Sequence, residues 1–153
     1  MVIYFSRSKK TEVFAKVLGD IKNMPLFELR AELNDLPTFR FIFKALRLVV
    51  RGKSHPVDKM PDSLPEEIFV CAPVWGGGIA SPVKFFLQNA KLSDIKVNIL
   101  LTASTPTDKY VKNAEKFLQS ISCAAGKVFI FATSSNEILP DADIIKEHMK
   151  ETM

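Results

Sequence analysis

Short apolar runs alternate with amphipathic stretches along this chain, and that alternation predicts its elements. Val2–Phe5 is a brief continuous apolar run, as expected of a buried strand. Val13, Phe14, Val17, Leu18 and Ile21 then recur at three- and four-residue spacing, which predicts a helix over Thr11–Asn23. Leu26–Leu29, after Pro25, reads as a second strand, and Glu67–Ala72 as a central third. A helix from Val83 to about Ala90 follows, then a fourth strand at Lys96–Thr102, apolar at Val97, Ile99, Leu100 and Leu101. Asp108–Ile121 is helical, Lys127–Ala132 is a fifth strand, and Asp141–Lys150 closes the chain as a helix after Pro140. Strands alternating with helices predict an α/β fold, a parallel sheet with helices on both faces.

The least regular part runs from Ala31 to Pro65 and is punctuated by Pro37, Pro56, Pro61 and Pro65. Within it, Phe39–Arg51 carries Phe39, Ile42, Phe43, Leu46, Val49 and Val50 on one helical face. Arg40, Lys44, Arg47 and Arg51 fall on another. A basic amphipathic helix can lie on a membrane or meet an acidic partner. It also serves as the crossover helix that a parallel sheet requires here, and that reading is preferred.

Composition narrows the class. At 153 residues, the chain reads as one domain, 1–153, long enough to bury a core. No apolar run approaches the ~20 residues that span a bilayer, and the start lacks the pattern of a signal peptide. The expectation is a cytoplasmic protein with no transmembrane segment, in which Cys71 and Cys123 are reduced, buried thiols. His55 and His148 stand apart from each other and from the cysteines, so no metal-ligand spacing exists. The net charge of +4 is mildly basic, but no Lys/Arg tract or reader motif points to specific nucleic-acid binding. Anionic small molecules satisfy the same charge.

The chemistry is expected beyond the carboxyl ends of the strands, where ligands bind in open parallel sheets. Three polar loops lie there: Ser6–Thr11, Pro73–Ser81 and Thr102–Thr107. The first joins a strand to a helix, so unpaired amides collect at the positive end of a helix dipole beside Ser6, Arg7, Ser8, Lys9, Lys10 and Thr11. A phosphate takes amides, hydroxyls and lysine charge together. Simple capping of the helix by Ser8 or Thr11 gives the same pattern. The second loop sets the only tryptophan, Trp75, before Gly76, Gly77 and Gly78. An aromatic face stacks on flat ligands, and glycines let the backbone approach a ring. Together the loops describe a ligand with a phosphate at one end and an aromatic ring system at the other.

Phe5-Ser6-Arg7-Ser8-x-x-Thr11-Glu12 resembles the phosphate loop of the flavodoxin-like family. Ala72-Pro73-Val74-Trp75-Gly76, followed by Ser81-Pro82-Val83 and Phe86-Leu87, is similar to that family's second flavin loop and helix. The resemblance covers nearly the whole chain in order. It implies a three-layer, doubly wound five-stranded parallel sheet in the order 2-1-3-4-5, binding flavin mononucleotide (FMN) noncovalently. Carried over, Ser6, Ser8 and Thr11 hold the phosphate with the loop amides, Arg7 contributing its backbone. Pro73, Val74, Trp75 and Gly76, with Gly77 beside them, flank the ring. Thr102, Ser104 and Thr105 meet its polar edge. Where the family carries Gly-Asn, this chain has Lys9-Lys10. If a left-handed backbone is needed there, Lys9 costs about 1 kcal/mol. If it is not, two cations strengthen the hold on a dianion.

Other proteins of this topology fit less well. A phosphoacceptor receiver needs acidic residues where Ser6-Arg7 and Ala72-Pro73 stand. A low-molecular-weight phosphatase needs an arginine where Cys71 is followed by Gly77. A dinucleotide fingerprint at Gly76-x-Gly78-x-x-Ser81 lacks its acid, since Asn98 occupies that place. Three readings remain, in order of preference. The first is an FMN electron carrier between redox partner proteins. The second is a small FMN oxidoreductase using NAD(P)H and a quinone-type acceptor, whose anionic donor Lys9, Lys10, Arg47 and Arg51 would suit. The third is a module that has lost FMN. No side chain stands out as a catalytic acid or base, and a homodimer is left open.

Overall fold

A strand covered on both faces has to be apolar at nearly every position, and the middle of this sheet meets that demand. The computed structural model describes residues 1–32, 40, 54–133 and 141–153. In chain order the elements are β1 (Val2–Tyr4), α1 (Lys10–Lys22), β2 (Leu26–Glu28), β3 (Glu67–Trp75) and β4 (Gly78–Ile79). After these come α2 (Ser81–Asn89), β5 (Lys96–Ala103), α3 (Asp108–Gln119), β6 (Ala124–Ala132) and α4 (Ala142–Thr152). The sheet runs β2-β1-β3-β5-β6, and every pairing along that path is parallel. β4 is a small antiparallel addition to β3, so the expected fourth and fifth strands are β5 and β6. The expected order 2-1-3-4-5 is therefore the observed one. The basic stretch Phe39–Arg51 lies outside the described residues except for Arg40.

Alternation along the strands sorts the core into two layers. Ile3, Val70, Ile99 and Leu101 face α2 and α3, meeting Val83, Phe86, Ala114 and Leu118. Val2, Tyr4, Cys71 and Leu100 face α1 and α4, meeting Phe14, Leu18, Ile145 and Met149. Each fully buried side chain of this size contributes roughly 1.5–3 kcal/mol by leaving water. Cys71 is among them, and burial pushes its thiol far above the ordinary range, which makes it unreactive. Cys123 is only half-buried, so of the two expected buried thiols one is fully so.

The boundaries differ from the periodicity where backbone chemistry decides them. α2 begins at Ser81 because Pro82 suits the first turn of a helix, its missing N–H being unneeded there. α1 ends at Lys22 with Asn23 in the left-handed conformation (φ 50°), a common helix stop. β6 begins at Ala124, three residues before Lys127. Ala124, Ala125 and Gly126 have little strand propensity and hide the strand from a hydrophobicity reading.

That early stretch is held by Asn98. Its amide donates to Glu67 Oε1 at 3.0 Å, and its carbonyl oxygen accepts from Lys127 N at 3.0 Å. One side chain thus links β3, β5 and β6 at an irregularity in the β5–β6 register between Val97 and Ile99. Lys96 adds an ion pair to Glu67 at 2.9 Å. Gly126 is required here by space: a Cβ on it would collide with Asn98 Oδ1 and lie 2.9 Å from the Val97 carbonyl oxygen. Gly126→Ala is expected to destabilise the fold by about 1–3 kcal/mol, as overpacking against backbone does. Denaturant unfolding should show a lower midpoint with an unchanged slope; an unchanged midpoint would mean the register absorbs the methyl group.

Candidate functional site

Three chain segments leave the sheet at its carboxyl edge, and each is tied to another. The first follows β1. Phe5 N donates to Cys71 O of β3 at 3.1 Å, which aims residues 6–9 past the end of the sheet. The chain enters α1 through Lys9, whose φ of 64° is left-handed. Val13 N donates to Lys9 O at 3.3 Å, so the amides of Thr11 and Glu12 lie ahead of the first intrahelical bond. They sit at the positive end of the α1 dipole.

The second segment is a hairpin where the sequence predicts a loop. β3 continues through Pro73 and Val74 to Trp75 and turns back into β4, pairing Val74 with Ile79 and Trp75 with Gly78. Gly76 (φ 56°) and Gly77 (φ 83°) make the two-residue turn. Two consecutive positive φ angles define the turn that suits strand twist, and glycine takes both without strain. Trp75 is half-buried and meets Phe5 edge-on, ring centres 5.2 Å apart. The hairpin therefore lies beside the start of the first segment.

The third segment follows β5. Thr102 is buried, and its Oγ1 lies 2.8 Å from Thr11 Oγ1 in a hydroxyl pair spanning 91 residues of sequence. Ser104 and Thr105 follow, exposed to solvent. The structure thus brings Ser6–Thr11, Pro73–Gly77 and Thr102–Thr105 to one edge.

The charges there are partly committed. Glu12 Oε2 lies 3.0 Å from Lys9 Nζ, and Glu12 Oε1 lies 2.8 Å from Lys16 Nζ. Hydrogen bonds from Lys16 first, then Lys9, hold the Glu12 carboxyl below the usual carboxylate range. Tyr4 lies beneath, its phenol pushed up chiefly by burial and then by Glu28 and Glu12, so it stays protonated. Glu12 was not among the site residues expected from the sequence, although its spacing to Lys9 and Lys16 was readable. Asn113 was also missed. It lies on the exposed face of α3, yet its amide donates to Gly77 O at 2.8 Å. No sequence pattern announces that contact.

One atom tests whether a phosphate group suits this edge. Ser6 is buried, and its hydroxyl oxygen has no hydrogen-bond partner among the described residues. A buried hydroxyl left so costs about 1–3 kcal/mol, which an anionic oxygen would recover. The opposite edge lacks this character. Cavities of about 760 and 400 Å³ there are lined by Ala90, Lys91 and Ile95, and Ser120 and Ile121 border the larger. These residues follow the C-termini of α2 and α3, the wrong dipole end for an anion.

This doubly wound α/β architecture, with its loops gathered at the carboxyl edge, is the flavodoxin-like fold. No family model matches the chain, and no curated protein matches it in sequence. Among solved structures it is similar to a provisionally named flavoprotein of Bacteroides uniformis, 19% identical, TM-score 0.76, covering 98% of this chain and 96% of that one. A flavoprotein of Lactobacillus acidophilus in complex with FMN is 22% identical, with a TM-score of 0.65 over 84% of this chain and 90% of that one. Megasphaera elsdenii flavodoxin in its two-electron reduced state is 12% identical, TM-score 0.52, covering 99% of each chain.

Two outcomes are expected. Lys9→Gly and Lys9→Ala both lose the ammonium, so their difference isolates the backbone. Lys9→Gly should be more stable by about 1 kcal/mol in chemical unfolding, and equal stabilities would remove the left-handed strain. Glu12 has a depressed folded-state value, so its contribution is complete above the ordinary glutamate range near ~4.3 and is lost as pH falls through the folded value. The stability gap between the ligand-free protein and Glu12→Gln should narrow from pH 7 to pH 3. A constant gap would show that the two lysines do not stabilise the carboxylate.

Proposed function

We propose that this chain binds FMN noncovalently at the carboxyl edge of the sheet and passes electrons between redox partners. The observation that carries this is the convergence of the segments, through the Thr11–Thr102 hydroxyl pair and the Phe5–Trp75 contact. Similarity in fold to a flavoprotein in complex with FMN supports the choice of ligand.

In this reading Ser6, Ser8 and Thr11 hold the phosphate with the amides of residues 6–11, Ser6 supplying the buried hydroxyl. Arg7 and Lys10 add positive charge near it. Lys9 shapes the turn, its ammonium already 3.0 Å from Glu12. Pro73, Val74, Trp75, Gly76 and Gly77 flank the ring, and Thr102, Ser104 and Thr105 face its polar edge. Bound FMN supplies the electron chemistry, and the protein binds, orients and shields it.

Titration of FMN with the purified protein should quench flavin fluorescence saturably. Trp75→Ala should weaken binding by about 0.5–1.5 kcal/mol, the worth of an aromatic pair beyond its area. Absence of quenching by the wild type overturns the assignment. Rapid reduction by NADPH with no reductase present would convert the carrier into an enzyme.

A further inference from the structure

The turn of the glycine hairpin has little within the ribbon itself to hold it. β4 is two residues long and makes two pairings with β3. Gly76, Gly77 and Gly78 lose more conformational freedom on ordering than any other residues would. A ribbon this short is not independently stable in water. Ile79 and Ala80 bury its return strand in the core and Ala80 N donates to Pro73 O at 3.1 Å, which leaves the turn at Gly76 and Gly77 to be fixed from outside.

We propose that Asn113 is a positioning residue of the site, holding the hairpin that presents Trp75; this rests on the FMN reading above. The Asn113 Nδ2 group donates to Gly77 O at 2.8 Å. A carbonyl oxygen only accepts, so the amide nitrogen is the group that faces it. The helix that carries Asn113 is rooted in the core through Ala114 and Leu118, both buried. A rigid element thereby fixes a soft one. Side chains of α2 and α3 also line the space beside the hairpin. The Tyr110 ring lies 3.8 Å from where a side chain on Gly77 would begin. Lys84 Nζ lies 3.6 Å from the same point on Gly78, and 5.8 Å from the centre of the Phe117 ring of α3. Asn113 itself is exposed, so its effect runs through this bond and not through packing.

The fluorescence of the sole tryptophan, Trp75, reports the hairpin directly. Asn113→Asp keeps the shape but presents only acceptors, and Asn113→Gln keeps the amide. Without FMN, Asn113→Asp should make Trp75 more accessible to acrylamide quenching. Its thermal midpoint should stay near that of the wild type. Its FMN dissociation constant should rise about three- to tenfold, as for loss of one hydrogen bond. Asn113→Gln should recover part of both effects. Unchanged quenching and affinity in Asn113→Asp overturn the proposal, as does greater quenching at unchanged affinity. A wild type that binds no FMN removes the FMN reading and this role together. The quenching measurement needs no FMN, so that failure is distinguishable from a missing clamp.

Discussion

A hydrogen bond between two threonine hydroxyls ties together the carboxyl edge of the sheet. Thr11 belongs to the first turn of α1 and Thr102 to the end of β5, with β3 between β1 and β5 in the sheet. Both residues are buried, so parting them would strand polar atoms at a cost of about 1–3 kcal/mol each. The bond therefore ties the first turn of α1, whose Phe14 and Leu18 pack on the sheet, to the end of β5. Each hydroxyl can make more than one hydrogen bond, so the pair can also meet a ligand without being broken.

Charge at this edge is arranged more sparingly than a count of lysines suggests. Glu12 engages Lys9 and Lys16, and the three groups together carry one net positive charge. The ammonium of Lys9 is mostly exposed, so its pairing is worth little as a salt bridge. Its use is geometric. A lysine at φ 64° turns the chain into α1 and leaves its ammonium beside the carboxylate three residues on. In the proposed reading, an anion at this edge would be met chiefly by oriented amides and hydroxyls.

The sheet was legible in the sequence because parallel strands buried on both faces read as near-continuous apolar runs. Ile68–Ala72 and Val97–Leu101 leave little else to assume. Their order was carried by the resemblance of Ser6–Thr11 and Pro73–Gly76 to a known family, and the structure has that order. What escaped the sequence was set by backbone geometry or tertiary contact. The hairpin at Gly76 and Gly77 depends on two positive φ angles, which composition permits but does not dictate. The early start of β6 depends on Asn98 reaching Lys127 N, in a stretch too small-sided to show a period. The left-handed Lys9 could not be read, because lysine is equally compatible with an ordinary backbone. Asn113 was invisible for a plainer reason: helical periodicity places it in solvent, and only the folded chain brings Gly77 to it.

The two ends of the sheet differ in how completely they satisfy themselves, and the carboxyl edge is the less complete of the two. At the amino edge Asn98 bonds to β3 and β6, Glu67 is held by Lys96 and Asn98, and Gly126 fills its space to contact. At the carboxyl edge a lysine occupies a left-handed turn, three glycines stand in a row, and the Ser6 hydroxyl is buried without a partner among the described residues. Strain and unmet polar groups persist where the surrounding structure enforces them, and they gather where a ligand completes the arrangement. An edge that served only stability would have no use for a glycine-rich hairpin clamped from α3 by one amide. It would have still less use for an orphaned hydroxyl beneath the start of a helix.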